Sequence, residues 1–304
     1  MKEFAEFRMP EDKAVQYLPL GVGVKLSGWV RKITVPVQDP LVNQIVTLHR
    51  NLIKEGDYLY LYSNIFRQYS MHEIVAAKAL RMVIRHTLEP AGEKCGTAYS
   101  EVAACKYCGA GGEQVSELIL DPRSLPHPNR LSIATTIAGE IVVSEAFQHC
   151  VHHNSLAGAE FRDVRNLKRP PDKIPGWHQL KISSQPLNIM APTHAGSTPF
   201  CDEFGKPHPA YSIEEMGGPG TWCDRHSQYV CPVGHTIGLN LFSELTVKKQ
   251  VGGAVWDLAI TKQLIGVRRG LLRPNPLFVV SDRFVECSAK WGLKGMSFEV
   301  VHLV

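Results

Sequence analysis

Long hydrophobic runs and export signals are what this sequence lacks. No apolar stretch approaches the roughly 20 residues that a membrane-spanning helix needs. The first residues include Glu3, Glu6, Glu11 and Asp12 and no apolar core, so they do not resemble a secretory signal. These absences predict a cytoplasmic protein without a membrane partner. In a reducing compartment its eight cysteines are expected to be buried or to bind metal rather than to form disulfides.

The sequence also lacks a concentration of charge of either sign. The net charge is +4 and the pI is near 8.6, with Lys and Arg scattered along the chain. A nucleic-acid-binding surface needs clustered basic residues, so a nucleic-acid partner is not expected. The length of 304 residues, with 44% hydrophobic and 20% charged residues, predicts globular structure as two compact units or one large domain.

Residues 1–95 are predicted to form an α+β region. Asp39 and Pro40 are typical of a helix start and Gly56 of a helix end, which predicts a helix between them. Alternating tyrosine and leucine at 58–62 predicts a strand.

A second helix is predicted to begin after Ser70. Ser70 and Glu73 have the spacing of a capping box. Apolar residues at helical spacing then extend the predicted helix as far as Ile84.

The C-terminal two-thirds contain an internal duplication. Residues 141–164 and 278–301 align without a gap and are identical at nine of 24 positions. Unrelated segments of average composition would share about one or two. Each copy reads as a strand, a helix and a second strand. The fold class is therefore predicted as α+β, an N-terminal platform followed by a duplicated strand–helix–strand unit.

Two serines mark the start of the repeated helix. Ser144 and Ser281 each follow a β-branched strand and precede an acidic residue, Glu145 or Asp282. This pattern predicts a helix N-cap rather than a nucleophile, because no base is fixed beside either hydroxyl.

The duplication is predicted to extend upstream, because Ser116-Glu-Leu and Ser243-Glu-Leu occupy similar places before the two units. The second copy then needs an insertion, predicted near Gly252-Gly253. The predicted organisation is a first repeat at 96–168, a Pro/Gly-rich irregular connection at 169–230 and a second repeat at 231–304.

A zinc site is predicted around Cys105 and Cys108, because the sequence Cys-x-x-Cys-Gly allows two thiolates to face one ion. A single pair cannot complete a tetrahedral site, so further ligands must come from elsewhere. Cys231 and His235 are the preferred second pair, since they lie at the corresponding place in the second copy. The alternative pair is Cys223 and His226. Four protein ligands would make the zinc structural, and three with a water would make it catalytic.

Other readings of these residues stay open. The cysteines can be buried small hydrophobes without metal. A zinc-dependent hydrolase using the His/Cys-rich segment 194–235 is the functional alternative. Because no convergent acid–base set is evident, the residues point away from an enzyme without settling the question.

The Cys105-Lys-Tyr-Cys108-Gly109 motif, the paired strand–cap–helix starts and the closing strands resemble the double-CxxCG family of myxobacterial proteins and related immunity-type proteins of toxin–immunity pairs. The likeness covers about the C-terminal two-thirds, and Cys-Pro-Val-Gly-His stands where the second CxxCG is expected. The resemblance implies a non-enzymatic binding protein with a protein partner, which it neutralises.

Overall fold

The computed structural model describes residues 1–105, 110–196, 240–250, 256–265 and 274–304, and it is a mixed α+β structure as predicted. The α-helices in these ranges are α1 (Glu11–Tyr17), α2 (Pro40–Lys54), α3 (Met71–Ala76), α4 (Glu145–His153) and α5 (Asp282–Lys290). The first strands are β1 (Lys2–Pro10), β2 (Val24–Ser27), β3 (Val30–Pro36), β4 (Tyr62–Gln68), β5 (Ala79–Ile84), β6 (Thr87–Leu88), β7 (Tyr99–Ser100), β8 (Glu113–Gln114), β9 (Leu118–Leu120) and β10 (Ile133–Thr136). The remaining ones are β11 (Ile141–Ser144), β12 (Ala159–Asn166), β13 (Arg169–Ile182), β14 (Ala195–Gly196), β15 (Asn240–Leu241), β16 (Leu245–Val247), β17 (Leu258–Ile265), β18 (Asn275–Ser281) and β19 (Met296–Leu303).

The N-terminal part is a four-stranded sheet with the order β2-β3-β1-β4, covered by α2. Alternate residues of β1 enter its core, where Phe7 and Met9 pack with Ile45 of α2. The prediction of α2 is confirmed, because Asp39 accepts a hydrogen bond from the Leu41 N–H at 2.8 Å.

The predicted strand at 58–62 is wrong, since β4 begins only at Tyr62. Leu59 and Tyr60 are instead both buried in the N-terminal core. Their N–H groups point to Nδ1 of His49, at 3.1 and 3.5 Å, so a side chain and not a neighbouring strand accepts them.

The predicted second helix is right at its start and wrong at its end. Ser70 and Glu73 form the capping box, but α3 stops at Ala76. The residues expected to continue it form β5, with Leu80 and Met82 buried. Leu80 and Ile84 have helical spacing, but Leu80, Met82 and Ile84 also fit the two-residue repeat of a strand. Pairing on both sides of β5 favours the strand.

The rest of the described chain builds two larger sheets. The first has the order β6-β10-β11-β13-β12-β9 and the second β17-β18-β5-β19-β16. Strand for strand, β10, β11, β13, β12 and β9 correspond to β17, β18, β5, β19 and β16, with the same parallel or antiparallel pairings. The duplicated sequence therefore folds into duplicated sheets.

The two copies exchange their first strands. β5 precedes the first strand–helix–strand unit in the chain but lies between β18 and β19 of the second sheet. β13 precedes the second unit but lies between β11 and β12 of the first sheet. Phe161 pairs with Leu180 as Phe298 pairs with Met82, so the registers correspond. Each sheet is completed at its centre by the other copy.

The predicted irregular connection at 169–230 is therefore wrong over its first part, because β13 occupies 169–182. Proline-rich composition suggested a loop, but β13 is held by strands on both sides. The insertion predicted near Gly252-Gly253 falls on residues outside the described ranges. Paired registers show the extra length of the second copy between β17 and β18, whereas β10 and β11 are joined by a tight turn.

A shared core joins the two sheets. It contains α4 and α5, with the Phe147 and Phe284 ring centroids 5.7 Å apart, and Cys150 and Cys287 are buried in it. Ser144 and Ser281 cap the helices by accepting from the N–H of Phe147 and Phe284 at 3.4 and 3.1 Å, as predicted. The opposite face of each sheet carries a separate, smaller core. Within the described ranges no helix has the length and apolarity required to cross a bilayer.

Candidate functional site

Cys105 lies in a loop that leaves the outer face of the first sheet through a short hairpin neck. The neck is the pair β7 and β8, with Tyr99 opposite Gln114. Within the loop, the Cys105 N–H donates to the carbonyl of Ala110 at 2.6 Å. The neck therefore fixes both ends of the segment that carries the Cys-x-x-Cys motif.

The second copy has the same neck, built from β14 and β15, with Ala195 opposite Leu241. A serine hydroxyl closes each neck, since Ser116 accepts from the Ala98 N–H at 2.8 Å and Ser243 from the His194 N–H at 2.7 Å. Two threonine hydroxyls repeat the same way. Thr97 accepts from the Ile119 N–H and Thr193 from the Thr246 N–H, both at 2.9 Å. These bonds agree with the alignment of Ser116 with Ser243, upstream of the two strand–helix–strand units.

Equivalent necks allow the cysteines to be compared by position. Cys105 follows Tyr99 by six residues, and Cys201 follows Ala195 by six. A glycine comes four residues later in both, Gly109 and Gly205. The second copy thus reads Cys-Asp-Glu-Phe-Gly where the first reads Cys-Lys-Tyr-Cys-Gly. The alignment made from sequence alone used Cys231 and did not find this match.

Most of the predicted ligands lie outside the described residues. Only Cys105 is inside them, and it is half-buried. The other predicted ligands lie outside them: Cys108, Cys231, His235, Cys223 and His226. Among the residues that the structure does describe, no three His, Cys, Asp or Glu side chains are grouped to hold a metal ion.

The two necks lie over different sheets. Gln114 of β8 bonds to Gln179, which faces the core of the first sheet beside Val142. Leu241 of β15 belongs to the corresponding core of the second sheet. The relation between the copies therefore does not by itself bring Cys105 and Cys231 together.

A buried polar network lies under the first neck. Glu140, only 6% exposed, accepts hydrogen bonds from the Tyr99 hydroxyl at 2.7 Å and from the Thr136 hydroxyl. Next to it, Gln114 and Gln179 exchange two amide hydrogen bonds, at 2.7 and 3.1 Å.

Lys181 extends this network. Its ammonium donates to the Gln114 side-chain oxygen at 3.0 Å, and burial lowers the pKa of Lys181. The first neck is thus attached to its sheet by hydrogen bonds from both of its strands.

The second copy is apolar at the same positions. Tyr99, Gln114 and Glu140 correspond in register to Ala195, Leu241 and Leu277, which are all buried. Leu241 and Leu277 belong to one apolar cluster. One backbone hydrogen bond is shared, because the N–H groups of Glu140 and Leu277 donate to the hydroxyls of the corresponding residues Thr136 and Thr261. The sequence analysis did not identify this network. An alignment of the two copies that paired Thr97 with Thr193 could have revealed it.

An ion pair is repeated at the edge of both sheets. Glu117 binds Arg165 through two contacts of 2.8 Å, and Glu244 contacts His302 at 2.7 Å. In the second copy the Tyr69 hydroxyl also donates to Glu244, at 2.8 Å. This links the N-terminal part to the second sheet.

No known protein-family model matches the chain, and a comparison with curated proteins found no significant match. The likeness to the double-CxxCG family therefore remains a resemblance based on the motifs.

Proposed function

We propose that this chain is a non-enzymatic binding protein, of the immunity type, that carries a structural zinc ion and neutralises a partner protein in the cytoplasm. The observation that carries the proposal is the repeated neck. Both copies raise a loop at the same place and have a cysteine at the same distance from the neck, followed by glycine. Cysteines at equivalent positions after the two necks, of which Cys105 is half-buried rather than part of a core, favour metal binding.

The proposed ligands are Cys105 and Cys108, completed by Cys231 and His235, with Cys223 and His226 as the alternative pair. The position of Cys201 makes it a further candidate. A structural site needs four protein ligands. The segment 197–239, which is rich in Cys and His, begins and ends at the second neck. A zinc-dependent hydrolase would instead keep one coordination position open, so ligand number separates the two functions.

Elemental analysis of the purified chain tests the metal. We expect about one zinc ion per wild-type chain. Cys108→Ala and Cys231→Ala should each lose both the zinc ion and the cooperative unfolding transition. Cys150→Ala is the matched control, because this cysteine lies in the shared core away from both loops. Zinc retained in both loop variants would refute the ligand assignment, and a metal-free wild-type chain would refute the site.

The surface supports a protein partner at the N-terminal sheet. The edge strand β2 has no neighbour on its open side among the described residues, and all four of its residues are exposed. Val24 and Trp29 are each 68% exposed beside it. Open strand edges and grouped exposed apolar side chains are features that protein partners bind.

Co-purification with the product of an adjacent gene tests the partner. We expect Trp29→Ser to weaken the complex, and Val102→Ser to leave it intact, because Val102 is an even more exposed apolar residue that is distant in sequence from β2. A chain that purifies alone in the presence of its neighbours' products would contradict an immunity-type function.

A further inference from the structure

The buried carboxylate of Glu140 needs an explanation that packing does not supply. Burying an ionisable side chain is costly, and its two hydrogen bonds come from hydroxyl groups rather than from a cation. The second copy has Leu277 at the same place on the same backbone, so an apolar residue is compatible with the fold. The first copy has kept the costlier solution.

The network joins the sheet to the two strands of the neck. Tyr99 and Gln114 lie directly opposite each other across β7 and β8, and each makes a side-chain hydrogen bond to the sheet below. The segment between them carries Cys105. Hydrogen bonds are directional, whereas apolar contacts such as those of Leu241 tolerate rotation and sliding.

We propose that Tyr99, Gln114 and Glu140 are positioning residues that hold the Cys105 loop in one orientation on the first sheet. The purpose, which rests on the proposed zinc function, is to preset the loop for its metal. In the second copy Ala195, Leu241 and Leu277 occupy these positions, and their side chains cannot make these hydrogen bonds.

Transplanting the second copy's side chains into the first tests the proposal in the full-length protein. The variant combines Tyr99→Ala, Gln114→Leu and Glu140→Leu. The variant is expected to stay folded, because Ala, Leu and Leu occupy the corresponding positions of the second copy. Its stability should fall, because buried Gln179 loses its amide partner. Hydrogen exchange at the amides of Cys105 and Val115, which bond within the loop and neck, is expected to rise about tenfold or more. Unchanged exchange at both amides would overturn the proposal.

Two single variants guard against a failure of the triple variant to fold. Tyr99→Phe removes one hydrogen bond and keeps the ring, so exchange should rise at the same two amides. Glu140→Gln keeps an acceptor for Tyr99, so exchange should stay within about twofold of wild type. Asp163→Asn is the control, since this carboxylate pairs with Lys173 elsewhere on the sheet. Equal exchange in Tyr99→Phe and in this control would count against a positioning role.

Zinc competition with a chelator then separates the two proposals. In the triple variant zinc affinity should fall about tenfold, the lower end of what supporting residues contribute to metal sites. If wild type holds zinc and the triple variant holds it equally well, the positioning role fails and the zinc function stands. If wild type holds none while loop exchange rises in the variant, the zinc function fails and the positioning role stands.

Discussion

The two copies of the repeat agree in their framework and differ on their outer faces. The agreement extends to single hydrogen bonds, such as those accepted by Ser116 and Ser243. The difference is concentrated under the necks, where one copy has a polar network and the other an apolar cluster. The comparison teaches that the interlocked strands preserve the backbone while the outer faces are free to change.

The exchanged strands explain why the framework is preserved. A change in β5 alters the centre of the second sheet, and a change in β13 alters the centre of the first. Because each copy completes the other, neither sheet is complete without both. The outer faces carry separate cores, so side chains there can change without altering the shared core.

The largest expected effect comes from the aromatic pair in the shared core. Phe147→Ala and Phe284→Ala each remove a fully buried ring and should each cost about 3–5 kcal/mol of unfolding free energy. The rings touch, so the double variant should cost less than the sum. Denaturant titration measures all three. A cost below about 1 kcal/mol for either ring would break the equivalence of the copies.

Paired glycines give the next effect. Gly158 and Gly295 have φ of +101° and +105°, and an added Cβ would lie 2.1 Å from the Leu258 carbonyl oxygen or 2.5 Å from that of Ile133. Alanine at either position should cost about 2–4 kcal/mol, because strain and overlap combine. Gly292→Ala is the control, with φ of +63° and open space around it. If thermal unfolding shows as large a loss of stability for Gly292→Ala as for the alanine variants of Gly158 and Gly295, the account is contradicted.

The helix caps sharpen the comparison. Ser144→Ala should cost about 1 kcal/mol by removing the cap of α4. Ser281→Ala should cost more, about 1.5–2 kcal/mol, because the Ser281 hydroxyl also donates to Asp257 at 2.7 Å. Equal costs in parallel denaturation curves would mean that the Asp257 bond adds nothing.

The smallest expected effect concerns the repeated ion pair and pH. Hydrogen bonding from Arg165 lowers the pKa of the Glu117 carboxyl. The pair's contribution is therefore present above the ordinary range of a glutamate and is lost as pH falls through the lowered pKa. The difference in unfolding midpoint between wild type and Glu117→Gln should shrink from pH 7 to pH 3. The exposed Glu160→Gln is the control, and a difference that grows towards acid would reverse the sign of the account.

Local signals in the sequence predicted local structure well. The N-caps at Ser144 and Ser281 and the capping box at Ser70 depend on neighbouring residues, and all three are confirmed. β5 was not predicted, because its partners β18 and β19 lie far along the chain and its apolar spacing also fits a helix. β13 was not predicted, because its prolines indicated a loop.

The candidate site was predicted only in part. Cys105 was identified by its motif, and the equivalence of Cys201 appeared only when the paired strands aligned the necks. Glu140 was not identified, because a single glutamate after a glycine in a tight turn is ordinary at a surface. Its importance depends on burial and on the leucine at the corresponding place in the other copy.

Cleavage between the copies tests the interlocked framework most directly. The turn at Leu167 and Lys168, between β12 and β13, is exposed and accepts an inserted protease site. After cutting, the two fragments are expected to stay together in native size-exclusion chromatography and to unfold in one transition, because each holds the central strand of the other's sheet. Fragments that separate without denaturant, with either one still unfolding cooperatively, would contradict the exchange of strands.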